Sequence, residues 1–273
     1  MRRFVLAPVL LLATAALSAQ APKWTTGGCD GNDRNTPNDW LFGHQEQVCE
    51  LRRTVLPLVS GQIAVRGTNG GIEVTGEDRN DVALEVRLVA YGSSPAEAEK
   101  VMREVKIATA GTIHDEGPRS SGWLFRSGYS ASYRLRVPRH LSAELHTANG
   151  GVDINHVEGV LNAVTTNGGL SLKDLAGDVH ARTVNGGVHV NLTGDTWRGA
   201  GLSAQSVNGG ISVTAPDHYS AHVVAKTVNG GISVDFPVTM HGNMKHNLDT
   251  NLGQGGPNIH LQTVNGGVSI ARN

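Results

Sequence analysis

The sequence predicts an all-β protein: a parallel β-solenoid, or β-helix-like repeat domain, with one short helix inserted in its N-terminal part. The tripeptide Asn-Gly-Gly occurs seven times, beginning at Asn69, Asn149, Asn167, Asn185, Asn208, Asn229 and Asn265. The last six copies share the frame [Thr/Ser]-x-Asn-Gly-Gly-[Val/Ile/Leu]-x-[Val/Ile/Leu], and from Asn149 onward they begin 18, 18, 23, 21 and 36 residues apart. Periodic self-similarity of this kind marks units that bury a core only by stacking on one another. The composition points the same way. Thirty-five glycines with 4% aromatic residues suit tight-turned stacked strands better than a sandwich, whose core uses more aromatic bulk.

The elements follow in chain order. Arg2 and Arg3 precede a mostly apolar run over residues 4–17, and Ala19-Gln20-Ala21 is a small-x-small cleavage site. This is the pattern of a secretory signal peptide over residues 1–21, with a mature chain starting near Pro22 in the periplasm or outside the cell. The run is shorter than the ~20 residues a transmembrane helix needs, and no later segment could span a bilayer as a helix. A formal net charge of −1 argues against nucleic acid or an anionic membrane as a partner. Cys29 and Cys49 share the segment 22–60, which reads as a tethered loop or cap. In an exported chain an even pair suggests one disulfide, closing a loop of about 20 residues and contributing ~3 kcal/mol. The alternative is a reactive or metal-binding pair, for which His44 is the one histidine in the segment and a metal site would want more ligands than that.

Residues 61–140 read as an N-terminal β unit carrying the helix. Alternation of apolar and polar residues predicts strands over 62–66, 71–75, 82–89 and 130–137, the last ended by Pro138. Ser94-Pro95-Ala96-Glu97 is a capping box with Pro at the first helical position. Ala98, Val101, Met102 and Val105 then recur at helical spacing, which predicts a helix over about 95–106 packed on the sheet.

From 141 to 273 the Asn-Gly-Gly repeat takes over, packed on the preceding unit. Before each corner run two apolar columns: Ala143, Leu161, Val179, Leu202, Val223 and Ile259, then Leu145, Ala163, Ala181, Ala204, Ala225 and Leu261. After it comes a third, Val152, Leu170, Val188, Ile211, Ile232 and Val268. Asn-Gly could be a type I′ turn in a string of hairpins. A hairpin array needs no like-with-like columns, whereas a solenoid does, so the corner reads as the bend of a coil. There the glycines would supply backbone freedom and each Asn would bond to the next, amide to amide. The final interval is twice 18, which predicts a degenerate coil near Asn247.

The residues between the columns face outward. One row reads His146, Val164, Arg182, Gln205, Lys226 and Gln262; another reads Glu144, Asn162, His180, Ser203, Val224 and His260. Beyond the corner come Asp153, Ser171, His189, Ser212, Ser233 and Ser269. These rows make Arg182, Lys226 and Gln262, with Ser212 and Ser233, the candidate binding face. His180 and His189 could approach each other as a metal-binding pair, although no ligand spacing repeats. No nucleophile elbow, phosphate loop or calcium nonapeptide is present, so no catalytic, cofactor or metal residue is assigned.

Laid out in this way the chain resembles the toastrack-like family of bacterial adhesin-like proteins, defined by Thr-x-Asn-Gly-Gly-[Ile/Val]-x-[Val/Leu] repeats. The resemblance covers about residues 60–273, with 161–273 the most telling part; Cys49-Glu50, Val137-Pro138 and Asp235-Phe236-Pro237 are also similar. It implies a repetitive β structure in the cell envelope and defines no catalytic residues; "adhesin" is there a label drawn from architecture. The expected function is a non-enzymatic exported protein presenting a repetitive β surface to envelope polysaccharide or to a protein partner. One alternative is a polysaccharide-acting β-helix enzyme working near Asp174, Asp178, Asp195 and His180. Another is a periplasmic scaffold or envelope-stress accessory.

Overall fold

The structure, a computed structural model, describes residues 22–29, 46–118, 127–237 and 245–273. The signal-peptide segment and His44 lie outside the described residues. Strands β1 (Thr25–Gly28) and β2 (Glu46–Pro57) lead into a first coil, β3 (Gln62–Asn69) and β4 (Ile72–Glu77). An insertion follows: β5 (Asp81–Gly92), α1 (Pro95–Glu104), β6 (Lys106–Ala108), β7 (Thr112–Glu116) and β8 (Gly128–Pro138). The second coil is β9 (Ser142–Asn149) with β10 (Val152–Asn155), and the third is β11 (Glu158–Asn167) with β12 (Leu170–Lys173). The fourth is β13 (Ala176–Asn185) with β14 (Val188–Asn191), and the fifth β15 (Gly201–Asn208) with β16 (Ile211–Ala215). Then come the sixth, β17 (Ala221–Asn229) with β18 (Ile232–Val234), a lone strand β19 (Asn247–Leu252), and the seventh, β20 (Asn258–Asn265) with β21 (Val268–Arg272).

These strands form two facing sheets. Sheet A runs β1-β2-β5-β8-β4-β10-β12-β14-β16-β21-β18, and sheet B runs β19-β17-β20-β15-β13-β11-β9-β3-β7-β6. Coil pairs with coil in parallel and without shift, as in Leu161↔Val179↔Leu202 and Leu170↔Val188↔Ile211. The fold is therefore an all-β parallel solenoid with a single helix. Antiparallel pairing is confined to the β1-β2-β5-β8 wing and the β6-β7 and β17-β19 margins. The segment expected as a loop or cap thus supplies β1 and β2, which end sheet A.

The C-terminal coils correct the expected order. The seventh coil sits between the fifth and the sixth: β15 pairs with β20, and β20 pairs with β17. No degenerate coil passes near Asn247. There β19 runs antiparallel along the free side of β17, with Lys226 opposite Asn247. The 36-residue interval is thus an excursion around the sixth coil, after which the chain returns to fill the slot beside β15. Every coil carries the same register and corner, so any two can stack.

The predicted columns line the space between the sheets. Leu145, Leu161, Ala163, Val179, Val188 and Leu261 are fully buried. Helix α1 covers the wing with Ala98, Val101 and Met102. The Ser94 hydroxyl accepts from Glu97 N at 3.3 Å, while Glu97 accepts from Ser93 N at 2.8 Å, one residue earlier than an ideal capping box. Those Ser93 bonds hold the Glu97 carboxyl below the ordinary carboxylate range. The helix stops at Glu104 because Val105 is already extended and leads into β6.

Three rows of contacts build the corners. The asparagines form one unbroken ladder, 69–149–167–185–208–265–229, in which each Nδ2 donates to the preceding Oδ1 at 2.8–2.9 Å. Two residues earlier the hydroxyls of Thr147, Thr165, Thr183, Ser206, Thr263 and Thr227 donate at 2.7–2.8 Å to the first-glycine carbonyl of the coil below. This explains the Thr or Ser in the frame: the buried carbonyl needs a donor. The first glycine is required at every corner by close approach, and at Gly70 and Gly150 by a positive φ as well. A Cβ there would stand 2.0–2.2 Å from a carbonyl oxygen of the neighbouring strand at every corner. At Gly151, Gly169 and Gly187, each the second glycine of its corner, the distance is 3.2–3.4 Å.

Candidate functional site

Because the columns face in, alternation along each strand delivers the intervening side chains to two outer faces. On sheet B the strand register aligns Arg66, His146, Val164, Arg182, Gln205, Gln262 and Lys226 in one row. The candidates Arg182, Gln262 and Lys226 therefore share a face, with Gln262 between Gln205 and Lys226. At ~4.8 Å per strand, Arg182 and Lys226 stand about 14 Å apart with two glutamine amides between them. The parallel row two residues earlier reads Glu144, Asn162, His180, Ser203, His260 and Val224.

Sequence reasoning missed a feature of this face. His146 Nε2 lies 3.1 Å from Glu144 Oε1, and His180 Nε2 lies 3.0 Å from Asp178 Oδ1. Both are acid-x-His pairs on one strand, two residues apart and so on the same side; the spacing was visible in the chain. His222 reaches across to β19, 3.4 Å from Asp249 and 2.9 Å from Asn251 Oδ1.

Sheet A presents a different row: Arg53, Glu85, Arg134, Glu73, Asp153, Ser171, His189, Ser212, Ser269 and Ser233. Its first part is an ionic ladder, with Arg53–Glu85 at 2.6 Å, Glu85–Arg134 at 3.2 Å and Arg134–Glu73 at 2.9 Å. Glu73 chiefly raises the Arg134 value above that of an ordinary guanidinium. Two shallow troughs of about 470 and 600 Å³ run along this face and meet at His189, floored by corner glycines. Ser212 and Ser233 line the second, with Ser269 standing between them.

The remaining candidates are dispersed. His180 lies on the outside of sheet B and His189 on the outside of sheet A, so they form no pair. Asp178 is beside His180; Asp174 bonds Thr193 and lies 3.6 Å from His156; Asp195 lies 2.7 Å from His218. Among the described residues no group of three or more His, Cys, Asp or Glu could hold a metal ion. Cys29 and Cys49 are joined by a disulfide, with their Cα atoms 5.7 Å apart. In the insertion, Asp115 accepts from the Tyr129 and Tyr133 hydroxyls at 2.8 and 2.7 Å, tying sheet B to sheet A. Burial first, then the Asp115 carboxylate, pushes both phenols well above their ordinary value.

Comparison with known families decides the class: residues 138–271 match the Toastrack DUF4097 family, a domain of unknown function. The matched stretch is the repeat region, just under half of the chain, and it is there that the protein is similar to the Toastrack family. A comparison with curated protein sequences returns no match. Among solved structures, the chain is similar to a putative cell adhesion protein from Clostridium sporogenes, 10% identical over 93% of this chain and 100% of the other, with a TM-score of 0.44. It is also similar to a putative adhesin from Bacteroides fragilis, 13% identical over 82% and 97%, TM-score 0.39. A third is a putative lipid binding protein from Parabacteroides distasonis, 12% identical over 82% and 96%, TM-score 0.33. The matched Toastrack segment contains coils two to seven, and with them Arg182, Gln262, Lys226, His189 and both serines. The first coil, α1 and the tyrosine–aspartate tie precede it.

Proposed function

We propose that this is a non-enzymatic, exported protein of the cell envelope whose repetitive outer faces bind an envelope polysaccharide or a protein partner. One observation carries the reading: Arg182, Gln205, Gln262 and Lys226 stand in register on one sheet face, two cations flanking two amides at even spacing. A polymer with acidic groups and hydroxyls meets such a row with many weak contacts, which add through multivalency. The Cys29–Cys49 disulfide supports an oxidising compartment. In this reading residues 1–21 direct export, 22–60 form the disulfide-closed N-terminal segment, 61–140 the β unit, and 141–273 the binding repeat. No described helix is long and apolar enough to cross a membrane.

The test is retention of the purified protein, lacking residues 1–21, on fractionated envelope polysaccharide and on crosslinked envelope proteins. Retention that Arg182→Ala and Lys226→Ala weaken together supports the proposal. No retention on any envelope fraction rejects it, as does retention that both substitutions leave unchanged.

A further inference from the structure

Four corners share the tetrapeptide Val-Asn-Gly-Gly, at 184–187, 207–210, 228–231 and 264–267. Identical local sequence gives these asparagines the same intrinsic chemistry, so any difference in their reactivity comes from the fold. The relevant reaction of Asn-Gly is internal. The glycine nitrogen attacks the asparagine Cγ, its proton passing to solvent; the new Cγ–N bond closes a succinimide, and the Cγ–Nδ2 bond breaks to release ammonia. Water then opens either carbonyl of the ring, leaving Asp or isoaspartate. Attack needs a glycine N–H that is not engaged and a side chain free to swing over it.

Six corners deny the first condition, and five of them deny the second as well. Gly70, Gly150, Gly168, Gly186, Gly209 and Gly266 each donate their N–H to the Asn carbonyl of the next coil at 2.8–3.0 Å. Each of Asn149, Asn167, Asn185, Asn208 and Asn265 is held from both sides, donating through Nδ2 and accepting at Oδ1. Asn69 begins the ladder, yet its glycine N–H is engaged with Asn149 O at 2.8 Å.

Asn229 ends the ladder. Its Nδ2 donates to Asn265 Oδ1 at 2.9 Å, but among the described residues nothing donates to its Oδ1, and Gly230 N has no acceptor. Asn229 and Gly230 are both exposed. Among the described residues this end is open because the seventh coil occupies the inner slot, and β19, which flanks β17 only as far as Thr227, brings no corner to stack on Asn229.

We infer that Asn229 is the one corner asparagine that deamidates and isomerises in the folded protein. The product cannot keep the ladder bond: a carboxylate has no hydrogen to give Asn265 Oδ1. Isoaspartate also adds a methylene to the main chain between β17 and β18, so the last corner no longer stacks on the one beneath. The change weakens the sixth coil and leaves the inner five Asn–Asn bonds intact.

The experiment incubates the full-length protein at mildly alkaline pH and maps the peptides by mass spectrometry over days, alongside a sample held in denaturant. Conversion at Asn229 at least about tenfold faster than at Asn185, Asn208 and Asn265 in the folded sample is expected, because those three must first open their hydrogen bonds. In denaturant the four should converge. Equal rates in the folded protein overturn the inference. So does an Asn229 lead that persists unchanged in denaturant, since the fold would then not be its cause.

Discussion

Thr165 and Thr166 are neighbours in one strand, and substituting each with valine separates the corner's hydrogen bond from everything else about it. Thr165 is fully buried and donates to Gly150 O at 2.8 Å, whereas Thr166 is exposed on the outer face of sheet B. Valine matches threonine in shape, so Thr165→Val removes the donor and leaves no cavity. The Gly150 carbonyl, packed beneath the next coil, is then left without its partner, which costs about 1–3 kcal/mol. For a chain of this size each kcal/mol lowers Tm by about 2–4 °C, so a loss of ~2 kcal/mol lowers it by about 4–8 °C. Thr166→Val touches no such bond and stays within ~0.5 kcal/mol. Thermal and urea unfolding of the two variants, followed by circular dichroism, measures both. Equal stability of the two variants, or a Thr165→Val protein as stable as the parent, would refute the claim that the hydroxyl row holds the corners.

Within one corner, Gly186→Ala places a Cβ 2.0 Å from Gly168 O, while Gly187→Ala meets nothing nearer than 3.4 Å. The first is expected to cost about 3 kcal/mol or more, and the second to be neutral or stabilising by up to ~1 kcal/mol, in urea melts. The coil order can be read by crosslinking. Ser212→Cys with Ser269→Cys joins adjacent strands and should form a disulfide, whereas Ser212→Cys with Ser233→Cys spans two strand spacings, ~9.6 Å, beyond disulfide reach. Tyr129, Tyr133 and Tyr219 are raised by burial above the ordinary phenol value. Their contribution is thus fully present below about pH 10 and falls as pH rises past it, so phenolate absorbance and loss of β signal should climb together in an alkaline titration.

The solenoid was legible because its signal is redundant: the Asn, the Thr or Ser and three apolar columns repeat in fixed frame. The outer rows followed directly, since period-two alternation places Arg182 and Lys226 on the same face as soon as the register is known. The order of the last coils was hidden for the same reason. Asn208 can stack on Asn229 or on Asn265 with identical partners, so nothing local distinguishes the two, and a 36-residue interval looks like two coils. The strand β2 was obscured by its charges: Glu50, Arg52 and Arg53 break the apolar alternation, and they are stabilised by Glu85 and by the carbonyls at the end of α1, contacts far along the chain. The acid-x-His pairs were visible as spacing but carried no weight until both partners were known to face the same way. The role of the first glycine was misjudged because the crowding above it belongs to another coil.

A simple repeat stack can fray from its end one unit at a time, each coil depending only on the one before it. The inserted seventh coil removes that freedom here. While 258–273 is absent from its slot, no strand of the sixth coil, nor β19, pairs with the body of either sheet, and the hydrogen bonds that reach it are those of Ser220, just before β17, with Asp195 and Thr196. The detour joins Asn208 to Asn265 across 57 residues where a direct step to Asn229 would have spanned 21. Closing the longer loop costs only about 0.9 kcal/mol more in chain entropy, and in exchange three strands of sheet B are gained or lost together. A growing chain therefore cannot finish this end in the order it is made: the sixth coil waits for a partner synthesised after it, and the stack locks from the inside of its own terminus.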